Sequence, residues 1–176
     1  IEPSVHTAVR TAAVLAAQGL PSRGAVGPPQ MQGPDPMRDV ELMAEERRVA
    51  RRDGVVCLVD AGLEGAGMDL AFIRAAAKMA EFPVVKGAGF YAEPFYSQQV
   101  ASMSEERLVR ALIRQAEEYP AGVFGEIGSW DEITAVERRV FRAVGKAHLA
   151  TNLPIFTHTG IPGKSALQQL DLLEDA

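Results

Sequence analysis

Glu126 and His158 are the two residues whose types and surroundings point most directly to chemistry. Glu126 lies between glycines in the apolar run FGEIG (residues 124–128), and His158 closes the next apolar run, FTHTG (residues 156–160). Because an unpaired charge inside an apolar strand is costly, Glu126 needs a partner beside it. If the two strands are neighbours, both side chains reach one point, where a carboxylate and an imidazole are typical ligands of a divalent metal. A structural ion pair at Glu126 and a hydrogen-bonded core histidine at His158 are the alternatives.

Other polar and aromatic residues follow the apolar runs and are candidates for contact with a substrate. Lys86 ends one run, where it could form a Schiff base or bind a phosphate, although a position at the rim of the sheet is equally compatible with its neighbours. Tyr91 belongs to an aromatic cluster in the following loop and could line an apolar pocket, or pack as a small core under that loop. Trp130, just beyond Glu126, has the same two interpretations. Asp60 could bind a metal, orient a ligand or cap the following loop.

Four apolar segments are predicted strands, and each is followed by a loop and an amphipathic helix. The predicted strands cover residues 55–60, 84–87, 122–127 and 154–158, and the helices that follow them cover 68–81, 104–118, 134–151 and 165–176. Pairs with the spacing of a capping box open three of these helices: Ser102 with Glu105, Thr134 with Glu137, and Ser165 with Gln168. Another helix is predicted from Asp35-Pro36 to Gly54.

The strands begin about 30 to 38 residues apart, which is the length of a strand with its crossover helix. The sheet is therefore predicted to be parallel, with both faces covered, as in doubly wound sheets and (β/α)8 barrels. Neither a G-x-G-x-x-G sequence nor a phosphate-binding G-x-x-x-x-G-K-[ST] sequence occurs, which argues against a nucleotide-binding domain. In both architectures, ligands bind at the carboxyl ends of the strands.

Composition limits the class of protein. The 176 residues carry a net charge of -5, which disfavours duplex nucleic acid as a partner. Cys57 is the single cysteine, so no disulfide framework is expected and a cytoplasmic location fits. No segment approaches the length of a membrane span. Residues 1–37 include a stretch rich in proline and glycine and form a poorly defined segment, whereas residues 38–176 are predicted to form the α/β domain.

The motifs at Glu126 and His158 resemble those of the phosphotriesterase-like branch of the amidohydrolase superfamily. Supporting similarities are VVKGAGFY at residues 84–91 and QQLDLL at residues 168–173, and the resemblance extends over about residues 40–176. It implies a (β/α)8 barrel, of which this chain supplies strands two to five, about half. It also implies two divalent metals, with zinc the expected ion, and hydrolysis of phosphoester, ester or lactone bonds by a metal-held hydroxide. Glu126 would bridge the metals and His158 would bind one of them.

Several ligands of that family have no counterpart in this sequence. His6 is followed by Thr7 and Ala8, so the His-x-His pair of the first strand is absent, and the later histidine and aspartate would lie beyond Ala176. Both ends of the chain look cut, and 176 residues are well short of the roughly 250 of a complete barrel. Since catalytic zinc usually has three protein ligands, we expect this chain to bind metal weakly and to be an inefficient hydrolase.

Two other functions are open. A TatD-type metal-dependent nuclease also resembles a barrel with a Gly-Glu pair at this strand, but here Gly128 is followed by Ser129 and Trp130, which departs from that group's pattern. The second alternative is a non-catalytic partial barrel that serves as a binding or assembly module. Unpaired edges of such a sheet favour association, so a homo-oligomer is compatible with it.

Overall fold

A computed structural model of the chain describes residues 38–66, 68–119, 121–160 and 163–176. Residues 1–37, predicted to be poorly defined, lie outside this part. The described strands are β1 (Leu58–Asp60), β2 (Val84–Ala88), β3 (Val123–Gly128) and β4 (Ile155–His158). The described α-helices are α1 (Val40–Arg52), α2 (Leu70–Ala80), α3 (Gln98–Ser102), α4 (Glu105–Glu118), α5 (Ala135–Thr151) and α6 (Ala166–Glu174), and a 3-10 turn covers Glu93–Phe95.

The four strands form one sheet in the order β1-β2-β3-β4, so neighbours in sequence are neighbours in space. The strands are parallel, with Gly87 opposite Val123 and Gly128 opposite His158. Parallel neighbours need a crossover connection, and helices supply it here. The predicted α/β class with a parallel sheet is confirmed.

The chain divides into two compact units, and the described residues of the first are 38–58 and Asp69–Val84. In its described part, α1 packs against α2, and Ala44, Ala80 and Phe82 form the buried cluster between them. Asp39 and Asp69 begin the two helices, since each carboxylate accepts hydrogen bonds from backbone N–H groups of the first turn.

The second unit contains Val59–Met68 and Val85–Ala176. Its core is built from apolar faces of α4, α5 and β3, including Leu108, Leu112, Val140, Phe141, Phe124 and Ile127. Glu105 of α4 forms ion pairs with Arg142 and Lys146 of α5, at 2.9 and 2.5 Å. No helix in the described ranges is both long and apolar enough to cross a membrane.

Local structure differs from the sequence prediction at several element ends. The first strand begins at Leu58 rather than Val55, because the Val55 N–H donates to the Ala50 carbonyl at the end of α1. The predicted capping box at Thr134 is confirmed. The box at Ser102 is wrong, since Ser102 ends α3 and Ser104 caps α4.

The box predicted at Ser165 is also wrong. The Ser165 hydroxyl does not cap α6 but donates to the Trp130 carbonyl at 2.6 Å. The hydroxyl that the sequence pattern assigns to helix capping therefore bonds a distant segment of the chain instead.

Candidate functional site

Glu126 sits in an irregular stretch of β3. Between Phe124 and Ile127 this strand advances three residues while β4 advances two, so β3 carries one extra residue. Gly125 has a φ of 145°, and a Cβ at this position would lie 2.7 Å from the Phe156 carbonyl oxygen of β4. Only glycine suits both conditions. A bulge of this kind redirects side chains locally, and here it adjoins the candidate site.

The structure brings Glu126 and His158 together. Glu126 Oε1 lies 2.5 Å from His158 Nδ1, and the side chains are 13% and 11% exposed. At this distance the carboxylate oxygen and the imidazole nitrogen are in direct polar contact. The arrangement follows from the sheet, because both residues lie toward the carboxyl ends of adjacent parallel strands.

Two aromatic rings meet the imidazole of His158 edge-on. The ring centroid of Tyr91 is 5.5 Å away at an interplanar angle of 67°, and that of Trp130 is 5.6 Å away at 89°. Tyr91 is buried, whereas Trp130 is 39% exposed. Two of the predicted substrate-contact residues therefore touch the Glu126–His158 pair through its histidine.

The hydroxyl of Tyr91 is kept protonated by its surroundings. Burial raises the pKa of this phenol well above its ordinary value, and the nearby charge of Glu126 raises it further. Within the described chain, this hydroxyl has no hydrogen-bond partner. The proton of this hydroxyl is therefore lost only at a higher pH than that of an exposed tyrosine.

Lys86 lies in a different environment from the one expected at a rim. Its side chain is 10% exposed, and its Nζ is 3.2 Å from Asp60 Oδ1 and also donates to the Gly62 carbonyl. Asp60 in turn accepts the Gly62 N–H at 2.9 Å. The positive charge of Lys86 is thus partnered by Asp60, the other polar residue singled out at a strand end.

A buried hydrogen-bond network, not identified from the sequence, joins α6 to the ends of β3 and β4. Gln169 Nε2 donates to the His158 carbonyl at 2.7 Å and to Ser129 Oγ at 2.8 Å. Ser129 also donates its backbone N–H to the His158 carbonyl and its hydroxyl to Ser165 Oγ. The available signal was weak: Ser165, Gln169 and Leu172 share one helical face, with two polar side chains among them.

A small, partly open cavity of about 80 Å³ lies between the aromatic loop after β2 and the loop after β1. Its walls are Glu64, Gly65, Phe90, Phe95, Tyr96, Ser97 and Val100. Tyr91 is not a wall of this cavity but packs against one of its residues, with its ring centroid 5.0 Å from that of Phe95. The predicted aromatic cluster therefore divides between the cavity and the histidine.

The pair of donors suits a metal in type but not in number. Carboxylate oxygen and imidazole nitrogen are ligands that zinc and related divalent ions accept. Across the described ranges, however, no group of three or more His, Cys, Asp and Glu residues could hold an ion. Glu126 and His158 are two ligands where a catalytic zinc site has three from the protein.

Comparison with known proteins identifies a family and several relatives. Residues 31–176 match the model of the phosphotriesterase family. N-acetyltaurine hydrolase of Homo sapiens is 26% identical over 145 residues, which cover 79% of this chain and 42% of that protein. The phosphotriesterase homology protein of Escherichia coli is 36% identical over 98 residues, covering 52% of this chain and 33% of that protein.

Solved structures give the same picture. The crystal structure of the Escherichia coli phosphotriesterase homology protein, complexed with phosphate in its active site, matches with a TM-score of 0.75 and 27% identity. The match covers 79% of this chain and 50% of that one. These relatives are TIM barrels, so the predicted partial (β/α)8 barrel is confirmed. The chain spans about half the length of the relatives that it matches, or less.

Proposed function

The chain belongs to the phosphotriesterase family, and on this basis we propose that it supplies part of the active site of a metal-dependent hydrolase. The observation that carries the proposal is the contact between Glu126 Oε1 and His158 Nδ1 at the ends of adjacent parallel strands. Family membership also favours this function over a TatD-type nuclease.

We propose a small molecule with a hydrolysable acyl or phosphoryl bond as the substrate. The family name supports a phosphoester, and esters and lactones are the related bonds expected from the sequence. The relatives named N-acetyltaurine hydrolase add an amide to this set, because an N-acetyl group is joined through an amide bond. All of these bonds are cleaved by attack of hydroxide on a polarised centre.

In the proposed mechanism Glu126 and His158 would hold a divalent metal, with zinc the expected ion. Such an ion, when bound, would lower the pKa of a water molecule and polarise the bond under attack. Glu126 contributes negative charge and an acceptor for a proton at its carboxylate. His158 contributes a ring nitrogen, and its ring is oriented by the edges of Tyr91 and Trp130.

The remaining predicted site residues differ in their proposed roles. The ring of Tyr91, buried against the imidazole, would hold His158 in place rather than contact the substrate. The exposed part of the Trp130 ring offers an apolar surface beside His158 and excludes water there. For Lys86, the contact with Asp60 favours a role in fixing the loop after β1 over a direct role in substrate binding.

Zinc binding by the 176-residue chain tests the proposal. We expect weak binding, measured by competition with a chromophoric chelator, and its loss in Glu126→Gln and His158→Ala. His148→Ala is the matched control, since the His148 ring contacts the Leu153 carbonyl at the end of α5. Equal zinc binding by all four proteins would contradict the assignment of the two ligands.

Hydrolysis should then be measured on a phosphotriester, an ester, a lactone and an N-acetyl amide, with and without zinc. We expect slow, zinc-dependent turnover that Glu126→Gln removes. Full-strength hydrolysis by this chain, abolished by the same substitution, would show that two ligands suffice and that our expectation of weak activity is wrong.

An assembly module is the second candidate, and one observation favours it. The two strands at the edges of the described sheet carry exposed apolar side chains, Val59 of β1 at 42% and Phe156 of β4 at 48%. Size-exclusion chromatography with and without chelator separates the two functions. A dimer that forms without metal, in a protein that binds no zinc, would favour the module.

A further inference from the structure

We propose that Gln169 of α6 is a positioning residue that holds His158 against Glu126. The side chain of Gln169 is buried, with the residue 1% exposed, and its Nε2 donates to the His158 carbonyl and to Ser129 Oγ. It touches neither Glu126 nor the imidazole in these contacts, so it acts through the backbone. The proposal rests on the function proposed above, in which these two side chains share a metal.

The orientation of the Gln169 amide is fixed by its partner. The His158 carbonyl can only accept a hydrogen bond, so the NH2 group, and not the oxygen, must face it. In the part of the chain that the structure describes, the Gln169 Oε1 atom is buried without a hydrogen-bond partner. Burying this amide oxygen without a partner costs free energy, and we attribute the presence of glutamine here to the two N–H donors of its NH2 group.

These donors close a ring of hydrogen bonds between the two strand ends. Gln169 Nε2 is bonded to the His158 carbonyl and to Ser129 Oγ, and the Ser129 N–H is bonded to the same His158 carbonyl at 3.1 Å. Ser129 follows the last residue of β3, and His158 is the last residue of β4. The ring therefore sets the separation of the two ends that carry the Glu126–His158 pair.

The fourth strand is short, and its pairing with β3 ends at Gly128 and His158. It has four residues, and both Phe156 and Thr157 are exposed. Without Gln169, the His158 carbonyl loses its bond from the buried amide, while the bond from the Ser129 N–H remains. We expect the strand end to move more freely, and the imidazole to lose its fixed approach to Glu126.

Gln169→Met tests the role of the donors, because methionine has a similar length and volume but no N–H group. Leu172→Ala is the matched control, since Leu172 is buried on the same helix and is outside the ring. The first measurement is the proton NMR signal of His158 Nδ1–H, which a short bond to Glu126 shifts far downfield. We expect this signal to broaden or disappear in Gln169→Met and to remain in Leu172→Ala, below the melting temperature of both.

The second measurement is the zinc dissociation constant. Partners bonded directly to the ring of a metal-binding histidine typically change metal affinity by about 10- to 100-fold. Because Gln169 bonds the backbone carbonyl and not the ring, we expect Gln169→Met to weaken zinc binding by up to about 10-fold. For Leu172→Ala we expect little change after allowance for its lower melting temperature. Ser129→Ala, which leaves the bond from Gln169 to His158 in place, should fall between them.

Two results would overturn the proposal. One is equal behaviour of Gln169→Met and Leu172→Ala in both measurements, which would make Gln169 a stability residue only. The other is the absence of the downfield signal in the unmodified chain, because the contact to be positioned would then not exist. If the unmodified chain binds no zinc, the proposed function fails, while the NMR measurement still decides the role of Gln169.

Discussion

Lys86→Met removes the cation from a buried ion pair and decides whether this lysine is structural. Lys86 Nζ lies 3.2 Å from Asp60 Oδ1, and the two side chains are 10% and 4% exposed. After the substitution Asp60 remains buried and keeps one hydrogen bond, from the Gly62 N–H. The negative charge of Asp60 is then no longer compensated by the lysine.

The expected cost follows from this burial. Removing one partner of a buried pair destabilises a protein by about 3–5 kcal/mol, and the remaining bond from Gly62 places Lys86→Met near 3 kcal/mol. This is a large part of the roughly 5–15 kcal/mol that stabilises a typical domain. Arg52→Met is the control, because Arg52 pairs with Glu45 at the surface, where such pairs contribute about 0–1 kcal/mol.

Urea denaturation followed by circular dichroism measures both free energies of unfolding. Adding Asp60→Asn to Lys86→Met should recover about 2 kcal/mol, since asparagine removes the charge and can still accept the Gly62 N–H. If Lys86→Met costs no more than Arg52→Met, the buried pair contributes little. The lysine charge would then be available to a ligand, and its predicted role in substrate binding would gain support.

Two further predictions concern titration and helix capping. Burial raises the pKa of all three tyrosines, to about 12 for Tyr119 and higher for Tyr91 and Tyr96. The folded protein holds these protons more tightly than the unfolded chain does. The contribution of the tyrosines to the free energy of unfolding is therefore fully present below pH 10.0, the ordinary phenol pKa, and is lost as the pH rises through the pKa values of the folded state. Ultraviolet absorbance of tyrosinate should therefore rise together with loss of circular dichroism, and ionisation of all three near pH 10.0 in a folded chain would contradict this. For capping, Glu137→Ala should lower the free energy of unfolding, measured in urea, by about 2–4 kcal/mol, and Thr134→Ala should lower it by about 1 kcal/mol. The difference is expected because the Glu137 carboxylate accepts backbone N–H groups from both Thr134 and Glu93. Equal costs would refute this prediction.

The order of strands and helices could be predicted because its signals are local. Apolar runs and N-terminal capping residues act within a few positions of each other, and Thr134 with Glu137 forms the box that the spacing predicts. The nearness of Glu126 and His158 also followed, since carboxyl ends of adjacent parallel strands meet at one edge. The bulge at Gly125 could not be predicted, because it depends on the register with β4.

The Gln169 network shows where local patterns fail. On α6 the apolar side chains Leu167 and Leu170 are exposed at 73% and 52%, while Gln169 is buried, so hydrophobicity assigns the wrong face. The helix turns Gln169 inward because two strand ends offer it acceptors, the His158 carbonyl and Ser129 Oγ. A single sequence does not contain these acceptors as a pattern, since they come from segments 11 and 40 residues away. Polar residues that position a site are thus the hardest part of it to predict from the sequence, because their hydrogen-bond partners come together only after the sheet has formed.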